Sequence, residues 1–176
     1  MSVVRRATQE DAEELIRLRQ VMIDSMFANG SASTSRSASG SASASDIGWH
    51  TEAISTVRAK LADLEGDFAA FVVDQPGQPG QPGQSRKLAA LVVGTLDYRI
   101  GREGNPQGVN GSVFSVATDP GQRRRGYARA CMEVLLDWFR ERGAKSVDLN
   151  ASAEAEPLYA SLGFARKHDP SMRLNL

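Results

Sequence analysis

The residues of this chain with the most chemical content lie together, at Arg123-Arg124-Arg125-Gly126-Tyr127-Ala128. Upstream, Ser112–Thr118 carries Val113, Phe114, Val116 and Thr118 in a strand pattern that stops at Asp119-Pro120. Downstream, Tyr127, Cys131, Val134, Leu135 and Trp138 recur at helical spacing between Gly126 and Arg142, and Gly143 ends the run. A strand, a tight loop and a helix start in succession leave several backbone N–H groups unpaired and pointing one way, at the positive end of the helix dipole. That arrangement is an anion site. Gly126 lets the backbone approach a phosphate closely, and Ala128 is small enough to leave the first turn open. The three arginines either add cationic charge to this rim or form a solvated basic turn. The loop lacks the Gly-Lys-Ser/Thr of a Walker loop and the Gly-x-Gly-x-x-Gly of a dinucleotide fingerprint, so neither mechanism applies.

The elements that must position this loop are readable on both sides. Val3–Arg6 is a short apolar start, and Thr8 followed by Asp11 makes a helix-opening box. Ala12, Leu15, Ile16, Met22, Ile23 and Met26 carry a helical period to about Phe27, and Ile54, Val57, Leu61 and Leu64 carry a second from about Trp49 to Leu64. Phe68–Val73 and Leu88–Ile100 read as a hairpin with a lengthened turn, and Gly101–Gly111 as a Gly- and Asn-rich loop. After the central helix come a strand at Ser146–Ala151, a short helix at Pro157–Leu162 with Gly163 behind it, and a closing hairpin of Phe164–Lys167 and Met172–Leu176. The expectation is an α/β layer around one mixed sheet.

Two stretches stand outside this pattern. From Ser31 to Ser45 every odd position is serine, and Gln75–Gly83 repeats Gln-Pro-Gly three times. Neither composition buries enough apolar area to offset chain entropy, so both are expected as surface insertions, at 29–46 and 75–87, in a single domain spanning 1–176. The 176 residues hold 21 Lys plus Arg against 21 Asp plus Glu, a balance that gives no global drive towards nucleic acid or an anionic membrane. Cys131 is the single cysteine, which excludes an intramolecular disulfide and a Cys-based zinc cluster. It sits mid-helix on the apolar stripe, as a packing residue. His50 and His168 are isolated and have no metal-ligand spacing, so no metal is expected. The longest apolar run, Leu88–Val93, is too short to span a bilayer, and no signal-like start is present; the expected location is the cytoplasm.

With these residues in view, the chain resembles the GCN5-related N-acetyltransferases. Arg123-Arg124-Arg125-Gly126-Tyr127-Ala128 is similar to that family's Q/R-x-x-G-x-G/A signature, Val116-Ala117-Thr118-Asp119-Pro120 to the strand leading into it, and Pro157-Leu158-Tyr159-Ala160-Ser161-Leu162-Gly163-Phe164 to its late P-L-Y-x-x-L-G-F helix. The resemblance implies an α/β fold with a mixed, mostly antiparallel central sheet flanked by helices, acetyl-CoA as the co-substrate, and pairing of its pantetheine arm with the backbone of Val116, Ala117 and Thr118. It implies that the segment Arg123, Arg124, Arg125, Gly126, Tyr127, Ala128 and Arg129 holds the pyrophosphate, and that Tyr159 gives a proton to the departing thiolate. Without the resemblance Tyr159 reads as a core tyrosine. Relatives often carry an Asn after the strand equivalent to Ser146–Ala151; here the position falls on Ser152, with Asn150 nearby, and both are candidates. The implied reaction is direct attack of an amine on the thioester, the acceptor being a small molecule or peptide; a homodimer is in keeping with the family. A non-catalytic acyl-CoA-binding domain on the same fold is the alternative. Asp97, Glu103 and Asp148 are the acidic candidates for a base.

Overall fold

Five strands form one sheet in the order in which they occur along the chain, β1 Val4–Arg6, β2 Phe68–Asp74, β3 Leu88–Tyr98, β4 Val109–Thr118 and β5 Val147–Leu149. This is a computed structural model, and it describes residues 3–28, 45–77 and 86–175. Each neighbouring pair is antiparallel except β4 and β5, which run parallel. A parallel neighbour needs a crossover, and helix α3, Tyr127–Glu141, supplies it. Helices α1, Ala12–Ala28, and α2, Ser45–Ala62, pack on the opposite face, and the short α4, Glu156–Ser161, follows β5.

The continuous apolar run of β2 is explained by cover on both faces. Phe71 and Val73 join Cys131, Met132, Leu135 and Phe139 on the α3 side, whereas Ala70 and Val72 join Leu15, Leu18 and Leu61 on the other. Gly111 of β4 lies directly under α3. A Cβ there would stand 2.7 Å from two carbons of the Phe139 ring, so the absence of a side chain is what lets the helix seat on the sheet.

Strand β4 changes face halfway. Its register against β3 slips between Val93 and Gly94, which pair with Ser115 and Val113, so Phe114 is an extra residue. Before it, Val109 and Val113 face α3; after it, Val116 does, while Ala117 packs with the α1 cluster. Phe114 and Ser115 therefore both face α1 and α2.

The expected mixed, mostly antiparallel sheet is the one observed, with differences at its margins. Strand β4 starts at Val109 rather than Ser112, because residues 109–111 pair with Leu96, Asp97 and Tyr98 and the buried Asn105 side chain donates to Val109 C=O (3.1 Å). Helix α2 starts at Ser45, inside the stretch read as low complexity; most of that stretch, and residues 78–85 of the Gln-Pro-Gly segment, lie outside the described residues. The closing hairpin is absent: residues 164–175 form no strand, and Met172 and Leu174 are exposed. Side-chain pairs hold the start of this segment instead, Arg166 to Glu156 and Lys167 to Asp148 (2.7 Å), and Pro170 removes a donor that a ladder needs. Among the described residues no helix is long and apolar enough to cross a membrane.

The opening box of the first helix is present and carries more than a cap. Asp11, in a 3-10 turn at Gln9–Asp11, accepts from Thr8 N–H (2.8 Å) and from both terminal nitrogens of Arg5 (2.8 Å each), while Arg5 also donates to Asp74 of β2. Burial would raise the Asp11 pKa, but the Arg5 and Thr8 hydrogen bonds outweigh it and hold it below its ordinary 3.8. A depressed carboxyl contributes stability above its ordinary value and loses it as pH falls through the folded one. Asp11→Asn is expected to lower unfolding free energy by about 2 kcal/mol at neutral pH in urea titrations, with the gap to wild type closing below about pH 4. Gly111→Ala is expected to cost about 1–3 kcal/mol by the same measurement, through displacement of Phe139.

Candidate active site

Strand β5 pairs with β4 over three residues only, Gly111 with Val147, Ser112 with Asp148 and Val113 with Leu149. Beyond Leu149 the chain turns away into α4, while β4 continues to Thr118. From Phe114 to Thr118, β4 keeps β3 on one edge and, among the described residues, has no strand on the other. Alternate peptide groups of Val116, Ala117 and Thr118 thus face an open wedge, the situation in which a backbone edge accepts an added extended partner.

The loop that follows is built backwards from its cap. Asp119 accepts from Gly121 N–H (3.1 Å) and opens the 3-10 turn Pro120–Gln122. Arg17 of α1 donates to the other Asp119 oxygen (3.1 Å) and is itself held by Glu14 through two bonds of 2.7 and 2.8 Å. Glu14 also accepts from Leu88 N–H of β3 (2.9 Å). The turn is therefore anchored to both α1 and the sheet. Arg124 (φ +63°) and Gly126 (φ +78°) then adopt left-handed backbone, and such alternation folds successive N–H groups into a concave nest. The first bond of α3 is Ala130 N–H to Gly126 C=O (3.0 Å), so the amides of Tyr127, Ala128 and Arg129 have no intrahelical acceptor. Arg123, Arg124 and Arg125 are exposed and have no carboxylate partner among the described residues. The Arg129 side chain is committed elsewhere, donating to Glu133 (3.2 Å) and to Ser161 of α4, and only its amide faces the nest.

Tyr159 is 7% exposed and belongs to the same buried cluster as Cys131 and Leu135, against which Val116 also packs. Its ring meets Phe164 edge-on at 6.0 Å, and its hydroxyl has no hydrogen-bond partner among the described residues. Burial pushes the phenol above its ordinary value, which keeps it protonated. Asn150 and Ser152 are not equivalent. The Ser152 hydroxyl accepts from Ala155 N–H (3.3 Å) in the turn before α4, whereas the exposed Asn150, at the mouth of the wedge, has no partner among the described residues.

The acidic candidates lie elsewhere. Asp97 accepts from the Ser112 hydroxyl, Asp148 pairs with Lys167, and Glu103 is exposed on the loop between β3 and β4. A cleft that the spacing of the sequence did not identify lies instead on the α1 and α2 face. Of about 250 Å³, it is lined by Leu15, Ile16, Arg19, Trp49, Phe68, Phe114 and Ser115, next to the free edge of β4. The bulge makes it, by turning Phe114 and Ser115 to one side. The adjacent apolar pair Val113-Phe114 within an alternating strand is the one sequence sign of that irregularity. No group of three or more potential metal-ligating acids, histidines or cysteines occurs among the described residues.

Residues 49–164 match the family described as Acetyltransferase (GNAT) family. A [Ribosomal protein bS18]-alanine N-acetyltransferase of Escherichia coli is 39% identical over 56 residues, which is 30% of this chain and 38% of that protein. The match thus spans well under half the length of the curated relative. A GCN5-related N-acetyltransferase from Ralstonia eutropha superposes with a TM-score of 0.70 at 20% identity, covering 97% of each chain. The structure of a predicted acetyltransferase with acetyl-CoA from Clostridium acetobutylicum gives 0.72 at 19% identity, covering 98% of this chain and 94% of that one. At these identities the likeness is one of fold.

Cys131 is fully buried, and burial pushes its thiol up to about 12. Ellman's reagent at pH 8 is expected to leave the native protein unlabelled and to titrate one thiol per chain in denaturant; labelling of the folded protein at a comparable rate would contradict this burial.

Proposed function

Because this chain belongs to the GNAT acetyltransferase family, we propose that it transfers an acetyl group from acetyl-CoA to an amine by direct attack within a ternary complex. The observation that carries this reading is the juxtaposition of an unpaired strand edge with a nest of unpaired amides on the same strand-loop-helix unit. A pantetheine arm carries amides that pair with a strand edge, and a pyrophosphate is the anion that such a helix start accepts. The two lie in chain order along β4 and its loop, as the two parts of CoA lie along one molecule.

In this reading Val116, Ala117 and Thr118 hold the arm, with Asn150 reaching it from the far side of the wedge. The amides from Arg124 to Arg129 hold the pyrophosphate, and Arg123, Arg124 and Arg125 lend charge from the rim. Acetyl-CoA supplies an activated thioester: the amine nitrogen bonds to its carbonyl carbon, the C–S bond breaks, and the sulfur leaves as thiolate. Tyr159 gives that thiolate a proton. Between an ordinary phenol near 10 and an ordinary thiol near 8.5 the transfer is uphill by about 2 kcal/mol, and burial of the Tyr159 phenol widens that gap, which remains small against the barrier of acyl transfer. The amine's proton goes to water in the open cleft, since none of Asp97, Glu103 and Asp148 lines it. The inert Cys131 supports direct attack over a thiol-linked intermediate.

Replacing Tyr159 by Phe is expected to lower kcat by about 100-fold, read by thiol release with an accepted amine, while calorimetric affinity for acetyl-CoA stays within about twofold. Wild-type turnover in this variant would remove the proton-donor role.

A further inference from the structure

The cleft beside β4 holds a guanidinium that, among the described residues, has no counter-ion. Arg19 of α1 is half-buried there, and its one hydrogen-bond partner among the described residues is the Ser115 hydroxyl, a neutral acceptor. Three other arginines of the α1 layer are matched by carboxylates, Arg5 by Asp11 and Asp74, Arg17 by Glu14 and Asp119, and Arg58 by Glu13, while Arg6 donates to the Leu64 carbonyl. A guanidinium carries five N–H donors and is commonly matched by a carboxylate or phosphate through two parallel bonds. Around it the walls are apolar and aromatic, with Phe114 and Phe68 at 6.1 Å from one another and Trp49 across from them on α2. Holding a charge against such walls is unfavourable unless an opposite charge meets it. Ser115, which fixes the guanidinium, is 3% exposed and lies within the open stretch of β4 that begins at Phe114, next to Val116.

Resting on the acetyltransferase reading above, we propose that the acceptor is a small amine bearing a carboxylate and an apolar side chain, an apolar α-amino acid, whose carboxylate pairs with Arg19 and whose side chain lies among Phe68, Phe114 and Trp49. The cleft, about 250 Å³, falls below the range of about 300–1,000 Å³ usual for drug-sized ligands and suits one such molecule. Arg19 is then the residue that fixes substrate class: it orients the amine by holding the opposite end and takes no part in bond exchange.

The test compares thiol release from acetyl-CoA with L-phenylalanine, L-leucine and L-methionine, each against its carboxamide, in wild type, Arg19→Gln and Arg19→Lys. Wild type is expected to prefer the carboxylate by about 10–100-fold in kcat/KM. Arg19→Gln is expected to bring the ratio of acid to carboxamide kcat/KM to about one while calorimetric acetyl-CoA affinity stays within about twofold, and Arg19→Lys, which keeps the charge but not the fork, to retain part of the preference. Should Arg19→Gln fail to fold by circular dichroism, the Lys variant carries the comparison, and an unchanged preference in it overturns the inference. Equal turnover of acid and carboxamide by wild type, or acetyl-CoA binding without turnover of any of the three acids, overturns it too and leaves the acetyltransferase reading standing. Failure of wild type to bind acetyl-CoA overturns that reading, and this inference with it.

Discussion

Everything chemical in this protein depends on one unmet requirement of the β-sheet, that each strand edge find hydrogen-bond partners. Strand β5 meets it for Gly111, Ser112 and Val113 and then stops. Its brevity has a local cause: Ser152 closes a turn with Ala155 and Glu156 directly after Asn150, which commits the chain to α4 and away from β4. The resulting wedge sits where β4 runs into the Gly126 nest, so two sets of unsatisfied donors and acceptors share one opening. Most proteins cover such groups with their own chain. Here, among the described residues, both sets stay open.

The second dependence is on the anchoring of the loop. A nest with two left-handed residues, one of them the non-glycine Arg124, holds its shape only if its surroundings enforce it. The relay from Leu88 through Glu14 and Arg17 to Asp119 and Gly121 does so, tying β3, α1 and the turn before the nest into one charged network. Helix α1 thus has two tasks within one turn: Arg17 steadies the loop, and Arg19 faces the cleft.

Most of the fold was legible in the sequence because its elements are locally consistent. The Tyr127–Trp138 stripe, the Thr8 and Asp11 pair and the apolar run of β2 each reflect a period or a cap that needs no tertiary context. The nest was legible for the same reason, since strand, loop and helix start are contiguous. The cleft was not, because Arg19, Trp49, Phe68 and Ser115 lie far apart in the chain and meet only through packing. The Val109 start of β4 was obscured by Asn and Gly, residues that favour turns until a partner strand and the Phe139 ring override them. The missing C-terminal hairpin has the opposite origin: Met172 and Leu174 carry a strand-like alternation, yet both stay exposed and pair with no strand.

The extra residue at Phe114 also sets how this chain can change length over evolutionary time. Strand side chains alternate with a period of two, so deleting one residue between Gly111 and Thr118, or adding one, would send every later side chain to the opposite face. Ser115 and Ala117 would then meet α3, and Val116 would meet α1. The stretches 29–44 and 75–87, by contrast, join elements at connections where added length costs little closure entropy. Drift in length is therefore channelled to the α1–α2 and β2–β3 connections, and β4 is the segment whose residue count a lineage of this protein must conserve.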